Sequence, residues 1–166
     1  MDETQIWLEK LKIQELLSHY VQTLDGRDPE GWAKTFTVDG VFQMGDVSVV
    51  GRTKLAAIAK ALNEHVGTRH VTTSPCYEIN EGGGSAQGQI TMVATIATPK
   101  GYRIFAAGRY VDRLKKIDGE WLLARRQVIH ETLPNDPSVS VDSADPIVLE
   151  TMRPVFDAVS RIGETV

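Results

Sequence analysis

The sequence lacks the short motifs that identify many enzyme classes. It contains no HExxH, no paired CxxC, no Walker loop and no GxSxG. Gly82-Gly83-Gly84 joins two predicted strands and opens no helix, so it is expected to be a hairpin loop rather than a phosphate cradle. Glu64, His65 and His70 do not form a convincing metal set, because His65 ends a predicted helix whereas His70 lies in a predicted strand. We therefore expect neither a metal nor an organic cofactor.

The low cysteine content and the lack of excess positive charge exclude further classes of protein. Cys76 is the only cysteine, so no internal disulfide can form, and its expected role is that of a small buried apolar residue. The net charge of -4 argues against a nucleic-acid partner. No apolar run approaches bilayer length, and the start Met1-Asp2-Glu3-Thr4 is unlike a secretory signal. These features predict a cytoplasmic protein without membrane segments.

Two helices are predicted at the start of the chain. Apolar residues at three- and four-residue steps predict a first helix that runs to about Leu24. Asp25-Gly26 follows, and glycine is a usual residue just after a helix. Asp28-Pro29-Glu30 is typical of a helix start, so a short second helix is expected to carry Trp32 and Phe36.

Strands dominate the middle of the chain. Asp39-Gly40 is expected to end the second helix with a turn. A hairpin is then predicted, in which Gly45-Asp46 joins Val41 to Met44 with Val47 to Val50. A third helix is predicted from Thr53 to about His65. Four long extended segments then predict an antiparallel meander. They are Arg69 to Ile79, Ala86 to Thr98, Tyr102 to Lys116 and Glu120 to Leu133.

Helices placed before a long-stranded sheet predict an α+β fold. We expect a cone in which N-terminal helices pack on a strongly curved, mainly antiparallel sheet and enclose one apolar pocket, because strands of this length have to curl. Gly88 and Gly108 are the expected bend points. Residues 1–133 are predicted to form this domain, and residues 134–166 a C-terminal extension.

The extension is expected to contain a helix. Pro134 to Asp145 is rich in Pro, Ser and Asp and predicts an irregular connection. The helix begins at Pro146, and Pro154 should kink or interrupt it. Its apolar residues predict packing on the same domain or on a neighbouring subunit. They are Met152, Val155, Phe156, Val159 and Ile162.

Asp25 is the first candidate for chemistry, because its position is electrostatically unfavourable. The C-terminal end of a helix carries partial negative charge, so a carboxylate there needs a compensating partner. The partner is either Arg27 or a backbone donor, which would make Asp25 a loop former, or an imidazole inside the cone. Tyr20 lies one turn earlier on the apolar stripe, so its hydroxyl needs a polar partner in the core.

His70 is the second candidate. Strand alternation puts His70, Thr72 and Ser74 on one face, and that face is neither clearly polar nor clearly apolar. Taken alone, His70 is read either as a structural histidine or as a catalytic one. The arginines of the long strands are expected to lie on a solvated or ion-paired face. They are Arg109, Arg113, Arg125 and Arg126.

Several spaced residues give the chain a family resemblance. Ile13-Gln14-Glu15-Leu16-Leu17, Tyr20, Leu24-Asp25-Gly26-Arg27-Asp28 and Trp32 resemble the opening of SnoaL-like proteins of the NTF2-like superfamily. The later segments that also resemble this family are Arg69-His70-Val71, Gly108-Arg109-Tyr110 and Asp118-Gly119-Glu120-Trp121. The superfamily includes scytalone dehydratase, bile acid 7α-dehydratase, hexachlorocyclohexane dehydrochlorinase, polyketide cyclases, ketosteroid isomerases and the non-catalytic β subunits of ring-hydroxylating dioxygenases.

The resemblance implies particular roles for six residues. Tyr20, Asp25 and His70 fall where bile acid 7α-dehydratase has its catalytic tyrosine, aspartate and histidine. The implied substrate contacts are His130, which stands where that enzyme has an arginine, Met44, which replaces a second tyrosine, and Tyr110.

The implied function is a cofactor-independent lyase or isomerase acting on a hydrophobic cyclic molecule such as a steroid or polyketide. Dehydration is favoured over double-bond migration or cyclisation. His70 would remove a proton next to a carbonyl while Asp25 fixes its tautomer. The alternatives are a non-catalytic dioxygenase β subunit and a small-molecule-binding protein. A homodimer or homotrimer is expected.

Overall fold

The computed structural model describes residues 1–133, 136–140 and 145–165. Within these residues the chain forms four helices and nine strands. The helices are α1 (Glu3–Asp25), α2 (Pro29–Lys34), α3 (Arg52–His65) and α4 (Pro146–Ile162). The strands are β1 (Phe36–Met44), β2 (Val47–Val50), β3 (Thr68–Ile79), β4 (Ser85–Thr98), β5 (Gly101–Ile117), β6 (Glu120–His130), β7 (Thr132–Leu133), β8 (Asp136–Ser140) and β9 (Glu164–Thr165).

The described strands form one large curved sheet and one small sheet. The large sheet is open and has the order β3-β4-β5-β6-β1-β2-β9, whereas β7 pairs with β8. Its neighbouring strands are antiparallel except β1 and β6, which run parallel. The helices cover one face of this sheet, and the buried core lies between the two layers. The predicted α+β fold with a curved, mainly antiparallel sheet is confirmed.

Local capping explains where the helices begin. The side chain of Asp2 accepts a hydrogen bond from the backbone N–H of Gln5, and the side-chain oxygen of Gln5 accepts one from the backbone N–H of Asp2. Asp28 and Asp145 cap α2 and α4, and each is followed by proline at the first helical position. None of the described helices is long and apolar enough to cross a bilayer.

The second predicted helix is shorter than expected, and Phe36 lies outside it. At the end of α2 the hydroxyl of Thr35 donates to the carbonyl of Trp32 at 2.6 Å. Phe36 then begins β1, where it is fully buried. Asp39-Gly40 lies inside β1 at an irregularity in its pairing with β6, so it forms a bulge and not the predicted turn. β-branched neighbours favour the extended backbone here.

Three predictions about the end of the chain are also corrected. A single strand was expected over Glu120 to Leu133, but β6 ends at His130 and Thr132–Leu133 form the separate strand β7. The connection expected to be irregular contains β8, which pairs with β7, whereas residues 134–135 and 141–144 lie outside the described residues. Pro154 does not interrupt α4, because buried residues on both sides of it anchor the helix.

Helix α4 packs on the domain that precedes it. Its buried face is formed by Val148, Met152, Val155 and Val159. These residues lie against α3 and against the strands β2, β4 and β5. The C-terminal extension therefore contributes to the same core as the N-terminal helices.

Cys76 differs from its prediction because it is exposed. The pairing of β3 with β4 shifts register between Thr73 and Cys76, and Ser74 has a φ of 55° at this point. Such a bulge adds a residue to one strand and changes which side chains face inward. The bulge therefore turns Cys76 outward and the next residue, Tyr77, into the core.

Glu9 fastens α1 to the sheet. Its carboxylate accepts the indole N–H of Trp121 at 2.7 Å and forms ion pairs with Lys116 at 2.8 Å and Lys12 at 2.9 Å. The hydrogen bonds from Lys116 and Lys12 outweigh the effect of burial and lower the pKa of Glu9 to about 2. A carboxyl group with a lowered folded-state pKa stabilises the fold above its unfolded-state pKa of about 4.3.

We predict that Glu9→Gln lowers the free energy of unfolding at neutral pH by about 1–2 kcal/mol, because the amide keeps the Trp121 contact but loses the charge-assisted bonds. The stability contributed by Glu9 is lost as pH falls from about 4.3 through the folded-state value. The difference between wild type and variant should therefore shrink towards pH 2 in denaturant titrations. Glu15→Gln, at an exposed position of α1, is the control. A constant difference across pH would contradict the prediction.

Candidate active site

The end of α1 and the start of β3 meet at one wall of the cone. Asp25 is the last residue of α1, and His70 is the third residue of β3. The side chains of the two residues are only 11% and 4% exposed, respectively. This junction brings together two residues that are far apart in the sequence.

Asp25 is held by three donors from β3. Its Oδ1 lies 2.6 Å from Nδ1 of His70 and accepts the hydroxyl of Thr68 at 2.9 Å. Its Oδ2 accepts the backbone N–H of His70 at 2.7 Å. Of the partners considered from the sequence, the imidazole is present as the ring of His70. The backbone donor is the N–H of His70 in β3 and not a group of the turn after α1. The charge at the end of α1 is offset as helix electrostatics require.

This arrangement fixes the protonation pattern of the pair. Burial by itself would raise the pKa of Asp25, but the hydrogen bonds and charge of His70, with help from Thr68, lower it below its ordinary value. Asp25 is therefore an ionised acceptor at neutral pH. Because a carboxylate can only accept, Nδ1 of the neutral imidazole carries the proton, and Nε2 keeps a free lone pair for chemistry.

His70 lies on the wall of an apolar pocket. The edge of its ring meets Phe105, with ring centroids 6.1 Å apart and planes at 88°. The pocket has a volume of about 80 Å³. Its lining comprises Tyr20, Leu24, Trp32, Phe42, Met44, Ile58, Ala59, Leu62, His70, Met92, Ala94, Phe105, Ala106, Tyr110, Val128, His130, Met152, Val155 and Val159.

The structure places five of the six predicted site residues on this lining. Tyr20, Met44, His70, Tyr110 and His130 all border the pocket. The sixth, Asp25, stands behind His70 and borders a separate surface depression together with Arg27 and Arg69. The candidate site is thus a pocket whose histidine is supported from outside by a carboxylate.

Tyr20 and Tyr110 form a phenolic corner of the pocket. The two residues are 1% and 3% exposed, and their ring centroids are 5.9 Å apart. Burial raises the pKa of Tyr20, although the positive charge of Arg126 offsets part of the rise. Burial also raises the pKa of Tyr110 well above its ordinary value. Both phenols therefore keep their protons and remain hydrogen-bond donors.

Sequence reasoning missed much of the lining and one residue behind it. Phe105 and the α4 residues Met152, Val155 and Val159 line the pocket. The apolar spacing of α4 indicated a packed face, but not the surface on which it packs. Arg126 is 1% exposed and contacts the rings of both tyrosines. The prediction of a solvated position is therefore wrong for this arginine, whereas the alternative of an ion pair is met by Asp112.

A curved sheet that encloses one apolar pocket against helices defines the NTF2-like class of α+β proteins. The SnoaL-like domain family matches residues 6–127 of the sequence. The chain belongs to this family. A comparison with curated proteins finds no match.

Solved structures share the fold over most of the chain. Rv3472 from Mycobacterium tuberculosis, solved as an Asp→Asn variant and described as of unknown function, is 39% identical with a TM-score of 0.93 over 98% of this chain and 95% of its own. A scytalone dehydratase-like protein from Novosphingobium aromaticivorans is 22% identical, with a TM-score of 0.71 over 80% and 89%. A β subunit-like protein of an aromatic-ring-hydroxylating dioxygenase from the same organism is 22% identical, with a TM-score of 0.65 over 84% and 98%.

Because Met152 of α4 lines the pocket, we predict that Met152→Ala enlarges it. The ratio of affinities for 2-naphthol and phenol should rise about tenfold, since the second aromatic ring of 2-naphthol buries additional apolar surface worth about 25 cal/mol per Å². Isothermal titration calorimetry with both probes measures this ratio.

Val148→Ala is the matched control. Val148 is 2% exposed on the same helix but does not line the pocket. Both variants should lower the free energy of unfolding, because both remove buried apolar groups. An equal change of the affinity ratio in the two variants would show that general loosening of α4, and not pocket volume, controls binding.

Proposed function

We propose that this protein is a cofactor-independent lyase or isomerase that acts on a hydrophobic cyclic small molecule, with elimination of water as the favoured reaction. The observation that carries the proposal is the 2.6 Å contact between Asp25 and the Nδ1 atom of His70 at the pocket wall. This contact leaves the Nε2 atom of His70 as a base in an apolar pocket. Such a supported histidine is suited to general acid–base catalysis.

The proposed reaction begins with proton removal beside a carbonyl. Nε2 of His70 takes the proton, the C–H electron pair moves into the adjacent C–C bond, and negative charge develops on the carbonyl oxygen. Tyr20 donates a hydrogen bond to that oxygen. Asp25 stabilises the imidazolium through Nδ1. Positioned proton transfer contributes about 10²–10⁴-fold to the rate, and the preset donors contribute further.

Elimination and isomerisation share the first step and differ in the second. In elimination the enolate oxygen re-forms the carbonyl, the electron pair of the enolate C=C bond forms a new double bond between the α and β carbons, and the bond from the β carbon to its hydroxyl breaks. The departing hydroxide takes the proton held by His70 and leaves as water. In isomerisation His70 returns the proton to a different carbon. His130 lines the same pocket and is proposed to position a neutral polar group of the substrate.

The volume of the pocket constrains how the substrate enters. Pockets that bury a drug-sized ligand measure about 300–1,000 Å³, whereas this pocket measures about 80 Å³. A cyclic substrate therefore has to displace part of the lining. We propose that α4 moves, because it supplies Met152, Val155 and Val159 to the lining.

Assembly into a homodimer or homotrimer is a further part of the proposal. Val71 on β3 is 64% exposed and Ile104 on β5 is 57% exposed, and β4 lies between these two strands. Exposed apolar side chains on one sheet favour association. Sedimentation velocity on wild type and on Val71→Lys should show a dimer or trimer for wild type and a smaller species for the variant. A wild-type monomer at all concentrations would contradict this part.

The test of the catalytic proposal is a double-mutant cycle on Asp25 and His70. Asp25→Asn should lower turnover by about 10⁴-fold, because an amide can support the wrong tautomer and cannot stabilise the imidazolium. His70→Ala should be equally inactive. The double variant should be little worse than either single one, since the two residues act as a unit.

The assay screens β-hydroxy ketones, hydroxylated steroids and polyketides by mass spectrometry for loss of water or for isomer formation. His19→Ala, at an exposed position of α1, is the control and should keep full turnover. Circular dichroism checks folding, because breaking a buried charged pair costs about 3–5 kcal/mol. Near-normal turnover by folded His70→Ala would reject the mechanism. Tight ligand binding without turnover would favour the binding protein, and co-purification with a Rieske-type partner the dioxygenase subunit.

A further inference from the structure

A buried ion pair lies directly behind the phenolic corner of the pocket. Arg126 and Asp112 stand opposite each other on β6 and β5, and their side chains are 1% and 0% exposed. Nε of Arg126 donates to one oxygen of Asp112 at 2.8 Å, and Nη2 donates to the other at 2.7 Å. This two-point geometry fixes both the position and the plane of the guanidinium.

The pair continues as a row across the sheet. Tyr77 on β3, Gly88 on β4, Asp112 and Arg126 are consecutive cross-strand neighbours. The hydroxyl of Tyr77 donates to Asp112 across Gly88. A Cβ at position 88 would lie 2.8 Å from Cδ1 of Tyr77 and 2.1 Å from the carbonyl oxygen of Cys76. Glycine is therefore required at position 88 for Tyr77 to reach Asp112.

The other side of the guanidinium faces the pocket residues. Cζ of Arg126 lies 4.1 Å from the ring centroid of Tyr20 and 4.2 Å from that of Tyr110. Arg126 does not line the pocket itself, so it can affect a ligand only through these two rings and the field of its charge. A desolvated cation is attracted to the face of an aromatic ring, and this attraction favours one orientation of each ring.

We propose that Arg126, fixed by Asp112, is a positioning residue that orients Tyr20 and Tyr110 and makes their side of the pocket selective for an anionic oxygen, a phenolate or an enolate. The two phenols donate to the oxygen, and the guanidinium behind them supplies positive potential in a region without water. Burial by itself would lower the pKa of Arg126, but Asp112 raises it, so the guanidinium stays charged.

This inference rests on the proposed function only for its catalytic consequence, the stabilisation of an enolate. Selectivity for an anionic oxygen can be measured without any substrate. The probe is 4-nitrophenol, whose ionised form absorbs visible light, so that absorbance titration reports the pKa of the bound probe.

The main variant is the double change Asp112→Asn with Arg126→Met, which removes both charges and leaves an acceptor for Tyr77. We expect the pKa of bound 4-nitrophenol to be higher in this variant than in wild type by about one pH unit, a tenfold change in ionisation. Arg126→Lys keeps the charge and should recover at least part of that difference. Arg125→Met, a neighbouring arginine on β6 whose contact is with Gln43, should behave like wild type.

Folding controls keep the test decisive. If the double variant does not fold, the triple change Tyr77→Phe, Asp112→Leu and Arg126→Met replaces the polar side chains of the row by apolar ones. Replacing a buried ion pair by apolar residues of similar volume is often neutral or stabilising for the fold. Wild-type ionisation of the bound probe in either folded neutral variant would overturn the proposal. No recovery in folded Arg126→Lys would overturn its electrostatic part.

The same comparison in a His70→Ala background separates the inference from the proposed function. The effect of removing the ion pair should persist there, because His70 is not part of the row. If His70→Ala keeps normal turnover while the effect persists, the catalytic proposal fails and the anion selectivity stands. If the effect is absent in both backgrounds while His70→Ala is inactive, the selectivity fails and the dyad stands.

Discussion

A carboxylate at the C-terminal end of a helix is repelled by the carbonyl groups around it, and Asp25 remains there because β3 provides three donors. Two of these donors belong to His70, one from its backbone and one from its ring. The contact that docks α1 on the sheet is therefore the same contact that orients the imidazole. Structure and candidate chemistry depend on one junction, and the register of β3 at that junction determines that His70, and not a neighbour, faces the pocket.

The pocket stays largely apolar because His70 and the phenolic corner have their charged partners outside it. His70 is supported by Asp25 from behind the wall, and the phenolic corner of Tyr20 and Tyr110 is supported by Arg126. Buried polar groups without partners cost free energy, and placing Asp25 outside the pocket satisfies the ring of His70 without adding a carboxylate to the lining. The indole N–H of Trp32, which also lines the pocket, has no hydrogen-bond partner among the described residues. A ligand oxygen that enters then meets few donors, each with a fixed direction.

How far the sequence predicts this arrangement depends on the range of the interactions. The starts of α2 after Asp28 and of α4 after Asp145 follow from local side-chain capping, so composition and spacing are sufficient to predict them. The end of α1 follows less directly, because Gly26 has a φ of -80° and the left-handed residue is Arg27. The need of Asp25 for a partner was equally readable from helix electrostatics. The short reach of these effects is the reason that they are visible in a linear pattern.

Arg126 shows why the remainder was not predictable. Trp121 and Leu123 face the core, and strict alternation would continue with Arg125 inward and Arg126 outward. The pairing of β5 with β6 shifts at this point, from Leu114 opposite Leu123 to Arg113 opposite Arg125, so Ala124 is an extra residue and the alternation reverses. Burial of Arg126 opposite Asp112 thus follows from a bulge that no local sequence pattern predicts. The position of α4 over the pocket is likewise a property of tertiary packing.

His70 and the phenolic corner of Tyr20 and Tyr110 meet opposite charges during the proposed reaction. Proton transfer creates a cation on His70 and an anion on the substrate oxygen, and separating them in an apolar pocket would be costly if neither had a partner. Asp25 lies behind the developing cation, and Arg126 lies behind the phenols that would receive the anion. Each new charge therefore forms next to a fixed opposite charge that was present before the reaction. Because these charges are held in advance by β3 and by Asp112, little reorganisation is needed when the proton moves, which is the condition under which electrostatic stabilisation is most effective.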